Sequence, residues 1–259
     1  MNILDKIIEA KKRSVQEQKN LFSIQELMNS PYFQKEAVSL AKRLNSGKTS
    51  GIIAEFKRRS PSKGVINNKA DIVEVVHNYE KYGAAGISVL TDEEFFGGSN
   101  ADLVKARETV NIPLLRKDFI VDEYQLIEAR SIGADVILLI AACLSPNEVK
   151  QLAAVAKNLG LEVLLELHDE KELDHICGEI DLVGINNRNL KTFEVDIERS
   201  LKMAEKIPAD KIKIAESGIS SVDNIRLFKQ NGFKGFLVGE NFMKETDPGK
   251  AFEKFVSGL

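Results

Sequence analysis

The sequence has no tryptophan, three histidines and two cysteines, Cys143 and Cys177. Neither cysteine lies in a C-x-x-C or other metal-ligand spacing, and apolar residues flank both. Two buried free thiols are expected rather than a disulfide framework, which suits a reducing cytosol. The histidines, His77, His168 and His175, offer no pair with metal-ligand spacing, so no metal site is expected. Long apolar runs are also missing. The longest, residues 136–144, is strand-sized, far below the ~18 residues of a membrane span. The first residues, MNILDKIIEAKKRS, carry acids at Asp5 and Glu9 and lack a long apolar centre, which argues against a secretory leader or a mitochondrial presequence. A basic excess is lacking as well. Lys+Arg number 36 against 39 Asp+Glu, a net charge of −3. Non-specific nucleic-acid binding is thereby disfavoured, whereas a small anionic ligand is not, because cations can be gathered locally. No G-x-S-x-G elbow and no P-loop occurs, and the first strand leads into KRRSPSKG rather than G-x-G-x-x-G.

What the sequence does contain is alternation. Apolar residues at helical spacing predict a helix over 3–28 (Ile3, Leu4, Ile7, Ile8) and another over 34–48 (Ala37, Leu40, Ala41, Leu44). Eight short apolar, β-branched segments follow: 51–57, 86–90, 112–117, 134–140, 161–167, 181–186, 211–217 and 235–239. Helical patterns succeed them, for example over 71–83, 101–110, 122–133 and 145–160. Gly83, Gly133, Gly160 and Gly232 stand where left-handed C-terminal caps are expected, and Ser145-Pro146 with Glu148 is a helix start. Repeated βα units imply a parallel sheet. An open doubly wound sheet is the rival, but eight strands, the length of 259 residues and the missing glycine fingerprint favour a barrel. The expected fold is an α/β (β/α)8 TIM barrel in one domain over 1–259, with an N-terminal helical extension over about 1–48.

Barrels of this kind work at the C-terminal ends of their strands, and alternation along a strand decides which side chains face inward. Glu55 and Lys57 share a face with Ile53 in the first strand, and Lys117 shares one with Leu115 in the third. Glu166 goes with Leu164 in the fifth, Asn186 and Arg188 with Gly184 in the sixth, and Glu216 with Ile214 in the seventh. A single strand-end charge is usually solvated. Five strands ending in polar residues of one parity are expected to converge on a pocket; a polar plug of the barrel top is the alternative. Three cations and three carboxylates there suit an anionic substrate and general acid–base work. Ser217, Gly218 and Gly239, ending strands seven and eight, occupy the usual phosphate position of such barrels. Phe95, Phe96 and Phe119 lie just beyond strands two and three, where loop aromatics would suit an aromatic ring. KRRSPSKG is polar and long, and is expected to move.

Seven segments carry a more specific signal. IIAEFKRRSPSKG (52–64), FFGGS (95–99), LLRKDFIVDEYQ (114–125), LLELHDEKEL (164–173), VGINNRNLKTF (183–193), IAESGI (214–219) and FLVGENFM (236–243) occur in one register along the chain. In them the sequence resembles the indole-3-glycerol phosphate synthase family of tryptophan biosynthesis. The resemblance runs from the N-terminal helix to the C-terminus, extension included. It implies the substrate 1-(2-carboxyphenylamino)-1-deoxyribulose 5-phosphate, closure of its indole ring with loss of carbon dioxide and water, and no cofactor. By this resemblance Lys117 would be the general acid, Glu166 would do acid–base work during dehydration, and Lys57 would contact the anionic substrate. Glu55 would orient the lysines or accept a proton, Asn186 would bond the polar chain, and Arg188 would hold the carboxylate or the network around it. Ser217, Gly218 and Gly239 would hold phosphate, with the backbone of Glu240. Ser60 and Glu216 would line the pocket, and Phe96, Phe119 and Leu138 would pack the ring. Glu240 departs from a position where serine is frequent, and the tryptophan that some relatives bring to the pocket from their N-terminal segment is absent. A small-molecule substrate, no nucleic acid, no membrane, a monomer and a cytoplasmic location are expected. Another phosphosugar barrel enzyme, an isomerase or a Schiff-base aldolase, is the rival activity, and a non-catalytic barrel the remaining one.

Overall fold

The computed structural model describes residues 3–189 and 194–259. Eight strands correspond to the eight apolar segments: β1 (Ile52–Phe56), β2 (Gly86–Leu90), β3 (Leu114–Lys117), β4 (Val136–Ile140), β5 (Glu162–Leu167), β6 (Leu182–Asn186), β7 (Ile212–Glu216) and β8 (Phe233–Val238). Each pairs in parallel with its neighbours, and β8 returns to β1, so the sheet closes into a barrel. Closure leaves no edge strand, and both faces of the sheet are covered.

The period of two sorts the side chains into two apolar layers. Ile53, Leu115, Val136, Leu138, Leu164, Leu182, Ile214 and Leu237 fill the barrel interior. Their neighbours Ile52, Ala54, Val163, Leu165, Val183 and Ala215 pack outward against the helices. Those helices stop where their sequences dictate. Gly83, Gly133, Gly160 and Gly232 all have positive φ, as C-terminal caps require. Ser145 and Glu148 form a capping box ahead of Pro146–Asn158. The expectation of a helix after every strand fails once. After β5 the chain makes only a 3-10 turn, Glu170–His175, set by a reciprocal cap between Asp169 and Glu172. The cysteines are free but only partly buried.

The N-terminal extension differs from two plain helices. Ile3–Leu21 is interrupted at Phe22, because Ser23 caps a new helix, Ile24–Met28, with Glu26 closing the box. Within 34–48 only Leu40–Asn45 is helical. From there the extension spans the barrel end to end. At the C-terminal mouth, Lys11 reaches Asp92 at 2.8 Å and Asp118 at 2.7 Å, just past β2 and β3. Tyr124 Oη donates to the carbonyls of Gln18 and Phe22 at 3.0 Å. At the opposite end, the backbone N–H of Val38 donates to Asp135 at 2.7 Å. The Glu162 carboxylate accepts the N–H groups of Leu40 at 2.8 Å and Ala41 at 3.0 Å. These are the orphan donors of a helix start, met by a carboxylate at the N-terminal end of β5. Leu40 and Leu44 then plug the barrel bottom, where Gly86 and Gly235 leave room for them.

Lys11 is only 9% exposed. Burial opposes its charge, but Asp118 and Asp92 overrule that and raise its pKa. Removing one partner of such a group strands the others. Lys11→Ala should therefore cost about 3–5 kcal/mol, read as a lower urea midpoint, whereas Lys12→Ala, on the exposed face of the same helix, should be near neutral.

Candidate active site

The strand ends converge on a cavity of about 480 Å³ at the C-terminal mouth. Glu55, Lys57, Ser60, Phe96, Lys117, Phe119, Leu138, Glu166, Asn186, Arg188, Glu216, Ser217, Gly218, Gly239 and Glu240 all line it. Sequence reasoning missed the wall made by Ile3, Leu4 and Ile7 of the first helix; His168, which its place after Glu166 at a strand end marked as a possible support for the site, itself lines the cavity. Apolar spacing showed that those three would be buried, but not against what.

At the centre is Lys117. Its Nζ donates to Glu166 Oε2 and to Glu216 Oε2, each at 2.8 Å. The register explains the meeting. Leu90 pairs with Lys117, Ile140 with Glu166 and Asn186 with Glu216, which sets these ends at one level around the barrel. Gly184 makes space, since a Cβ there would collide with the Glu216 carboxylate. Asn186 Nδ2 donates to Glu166 Oε1 at 2.8 Å, and its Oδ1 accepts the N–H of Arg188 at 3.0 Å. On the adjoining wall Lys57 Nζ donates to Glu55 Oε1 at 2.6 Å. Gly239 is required beside that pair, because a Cβ would stand 2.7 Å from Glu55 Oε1.

Burial works against every charge here, and the partners decide the outcome. For Lys117 the Glu166, Glu216 and Glu55 carboxylates prevail, and its pKa rises, so it stays an ammonium. For Glu166 the Lys117 charge prevails, and it is held well below the usual carboxylate range. For Glu216 burial prevails, aided by the charges of Glu166 and Glu55, and its carboxyl is pushed up to about 7. Two carboxylates on one ammonium thus diverge: one stays ionised, the other titrates near neutrality.

The cavity has distinct ends. Phe96 and Phe119 stand 6.0 Å apart between ring centroids, with Leu138 nearby. At the other end Ser217 and Gly218 both take left-handed backbone, φ 66° and 69°. Ser217 is costly there, of order 1 kcal/mol, and Asn187 Nδ2 pins it by donating to its carbonyl at 2.7 Å. Gly239 precedes the short helix Glu240–Met243 without a side-chain cap. Lys63 and Arg188 each approach the Glu240 carboxylate at 3.7 Å. KRRSPSKG, expected to be mobile, is tied at its base. Arg58 clasps Asp102 through two nitrogens, Arg59 bonds the carbonyls of Glu93 and Glu94, and residues 59–60 pair with 64–65. His77 is exposed on its helix. Among the described residues no cluster of His, Cys, Asp and Glu is disposed to hold a metal ion, and no helix is long and apolar enough to cross a membrane.

Residues 4–255 match the family model of indole-3-glycerol phosphate synthase. The chain belongs to this family. It is 47% identical over 258 residues to the indole-3-glycerol phosphate synthase of Bacteroides thetaiotaomicron, covering 100% of this chain and 99% of that one. It is 42% identical to the enzyme of that name from Bordetella pertussis, over 99% of both chains. Among solved structures it resembles a mutant tryptophan synthase α-subunit from Pyrococcus furiosus, with TM-score 0.62, 14% identity and coverage of 82% and 99%. A thiamine phosphate pyrophosphorylase from the same organism gives TM-score 0.59 at 18% identity, with coverage of 85% and 98%. These two show the fold alone. Most of the quoted motifs lie in described parts of the family's barrel; the last four residues of VGINNRNLKTF lie outside the described residues.

The raised carboxyl of Glu216 has a thermodynamic consequence. A carboxyl whose folded pKa exceeds its unfolded one binds more protons when folded, so its contribution to stability declines as pH rises from about 4.5 to about 7. Glu216→Gln should therefore raise Tm at pH 8, with the gain shrinking toward pH 4.5. Calorimetry at both pH values checks this; an unchanged or lower Tm at pH 8 would contradict it.

Proposed function

We propose that this cavity closes the indole ring of 1-(2-carboxyphenylamino)-1-deoxyribulose 5-phosphate and expels its carboxylate as carbon dioxide. Family membership makes the chain a carboxy-lyase of tryptophan biosynthesis. What supports these residue roles above all is the Lys117 ammonium, held between two carboxylates at the floor of a pocket with an apolar ring-binding end.

The aromatic carbon attacks the ketone, and Lys117 donates a proton to the carbonyl oxygen as charge develops there. The carboxylate on the attacking carbon leaves as carbon dioxide, and its bonding pair restores the aromatic ring. The new hydroxyl then departs as water, and Glu166, kept ionised by Lys117, takes the proton that the new ring sheds. Asn186 keeps Glu166 oriented. Lys57, steadied by Glu55, and Arg188 meet the anionic parts of the substrate, while Phe96, Phe119 and Leu138 sandwich its ring. Ser60 closes the pocket from the β1 loop. For the phosphate, the backbone at Ser217, Gly218, Gly239 and Glu240 supplies N–H groups, two of them at a helix start whose first donors have no helical acceptor. The proposal extends to a monomer acting in the cytoplasm; two unpaired cysteines support a reducing compartment. A Schiff-base aldolase needs an unprotonated lysine beside the carbonyl, which the two carboxylates on Lys117 oppose.

The purified protein should convert the carboxyphenylamino substrate to a fluorescent indole product without added metal. Lys117→Ala should lower kcat by about 10²–10⁴ or more, and should also lower the urea midpoint because Glu166 and Glu216 lose their shared cation. Absence of turnover by the wild type sinks the proposal, and so does borohydride trapping of substrate on Lys117.

A further inference from the structure

His168 has no part in the mechanism above, yet its placement is unusual. It follows Glu166 by two, in the bend just past β5, and lines the same cavity. The residue is 9% exposed. Its Nε2 lies 3.0 Å from Glu166 Oε1, but the approach is a charge contact and not an aligned hydrogen bond. Among the described residues neither ring nitrogen has an aligned partner. A buried imidazole left in that way is costly unless the ring has work to do.

The reaction supplies a reason. Written for an ionised carboxylate, ring closure with loss of carbon dioxide and water consumes one proton per turnover. The ketone oxygen takes up two protons and leaves as water, while the new ring returns one to Glu166. That returned proton can pass from Glu166 to Lys117 across 2.8 Å. The second must come from solvent, and Glu166, which holds the way to Lys117 Nζ, keeps only 6% of its side chain exposed.

We propose that His168 is the relay through which this second proton enters, passing it from the cavity to Glu166. The inference rests on the ring-closing reaction proposed above. In one delivery Nδ1 takes a proton from solvent in the cavity, the ring tilts to align Nε2 with Glu166 Oε1, 3.0 Å away, and Nε2 gives that oxygen its own proton. The protonated Glu166 carboxyl then turns to present this same proton to neutral Lys117 and yields it. The carboxylate ends unchanged, the lysine is again an ammonium, and the ring is left as its other tautomer, which resets by exchange with solvent. His168 acts through Glu166 and need not touch the substrate.

The charged groups facing the ring are Glu166 on its own strand, Glu172 in the turn that follows and Glu216 on β7. Lys117 joins them from β3 through Glu166 and Glu216. Cys143, after β4, feels Glu166 and Glu172, together with Asp5 of the first helix. Burial disfavours an imidazolium here, but the Glu166 carboxylate outweighs it and raises the ring's pKa above its ordinary value. The ring is therefore suited to carry a proton near neutral pH.

The test compares wild type with His168→Gln and His168→Ala in steady-state turnover of the carboxyphenylamino substrate from pH 6 to 9. Gln keeps a polar group of similar reach but cannot titrate, and Ala vacates the ring's space. Both variants should lose kcat by ~10-fold or more with KM within ~2-fold. The imidazole limb should vanish from the kcat profile, and added imidazole should restore His168→Ala. Wild-type kcat in both variants across the range overturns the inference. A loss that imidazole does not relieve also overturns it, since that marks a merely structural role. If one variant fails to fold, the other decides the question through its pH profile. Failure of the wild type itself to turn over is a different result and counts against the ring-closing proposal.

Discussion

An ammonium held 2.8 Å from each of two carboxylates is the constraint on which the site depends. A buried cation at the end of β3 is tolerable only if the barrel brings acids to it. They come from β5 and β7, so both strands must present the right parity at the right height. A slip of one residue in either would turn the carboxylate into the helix layer and a leucine or alanine into the pocket. The closed sheet removes that freedom, because each register is fixed by two neighbours. Gly184, between the acids on β6, completes the arrangement by giving way to Glu216.

Much of this was legible in the sequence, because the side chains of a strand alternate wherever no bulge interrupts the ladder. Glu55, Lys57, Lys117, Glu166, Asn186 and Glu216 follow from parity and from the strand ends, and all line one cavity. Less legible was whatever depended on which surface an element meets. Ile3, Leu4 and Ile7 announce an apolar face but not its destination, and the destination is the substrate cavity. The break at Ser23 is written in the Ser-x-x-Glu cap, which divides the single helix that apolar spacing predicts over 3–28. The turn after β5 carried the same cap chemistry with too little chain behind it for a full helix. His168 could be read as supporting Glu166 from its place at the strand end, but its burial and its share of the cavity lining depend on the turn that follows.

The charges illustrate a related point. Sequence shows three cations and three acids near one mouth, but not how they divide. Geometry makes the two acids on Lys117 unequal: Glu166 gains Asn186 and the His168 edge, whereas Glu216 keeps one oxygen without a partner among the described residues. Environment, not residue type, keeps Glu166 ionised and lets Glu216 titrate near neutrality, as in other pairs of carboxyls with divergent environments.

The extension, held at the mouth by Lys11 and at the base by Glu162, also fixes the order in which the molecule can be completed. Leu40 meets its carboxylate across 122 positions of chain, so the extension, made before the barrel, finds its dock only after β5 has been made. Until then the plug residues Leu40 and Leu44 and the cavity wall at Ile3, Leu4 and Ile7 are apolar surface without a home. Long-range closure of this kind is slow and leaves such surface exposed. The nascent chain therefore carries, ahead of the barrel, both its stopper and the lining of its pocket, and neither can serve until β5 has followed.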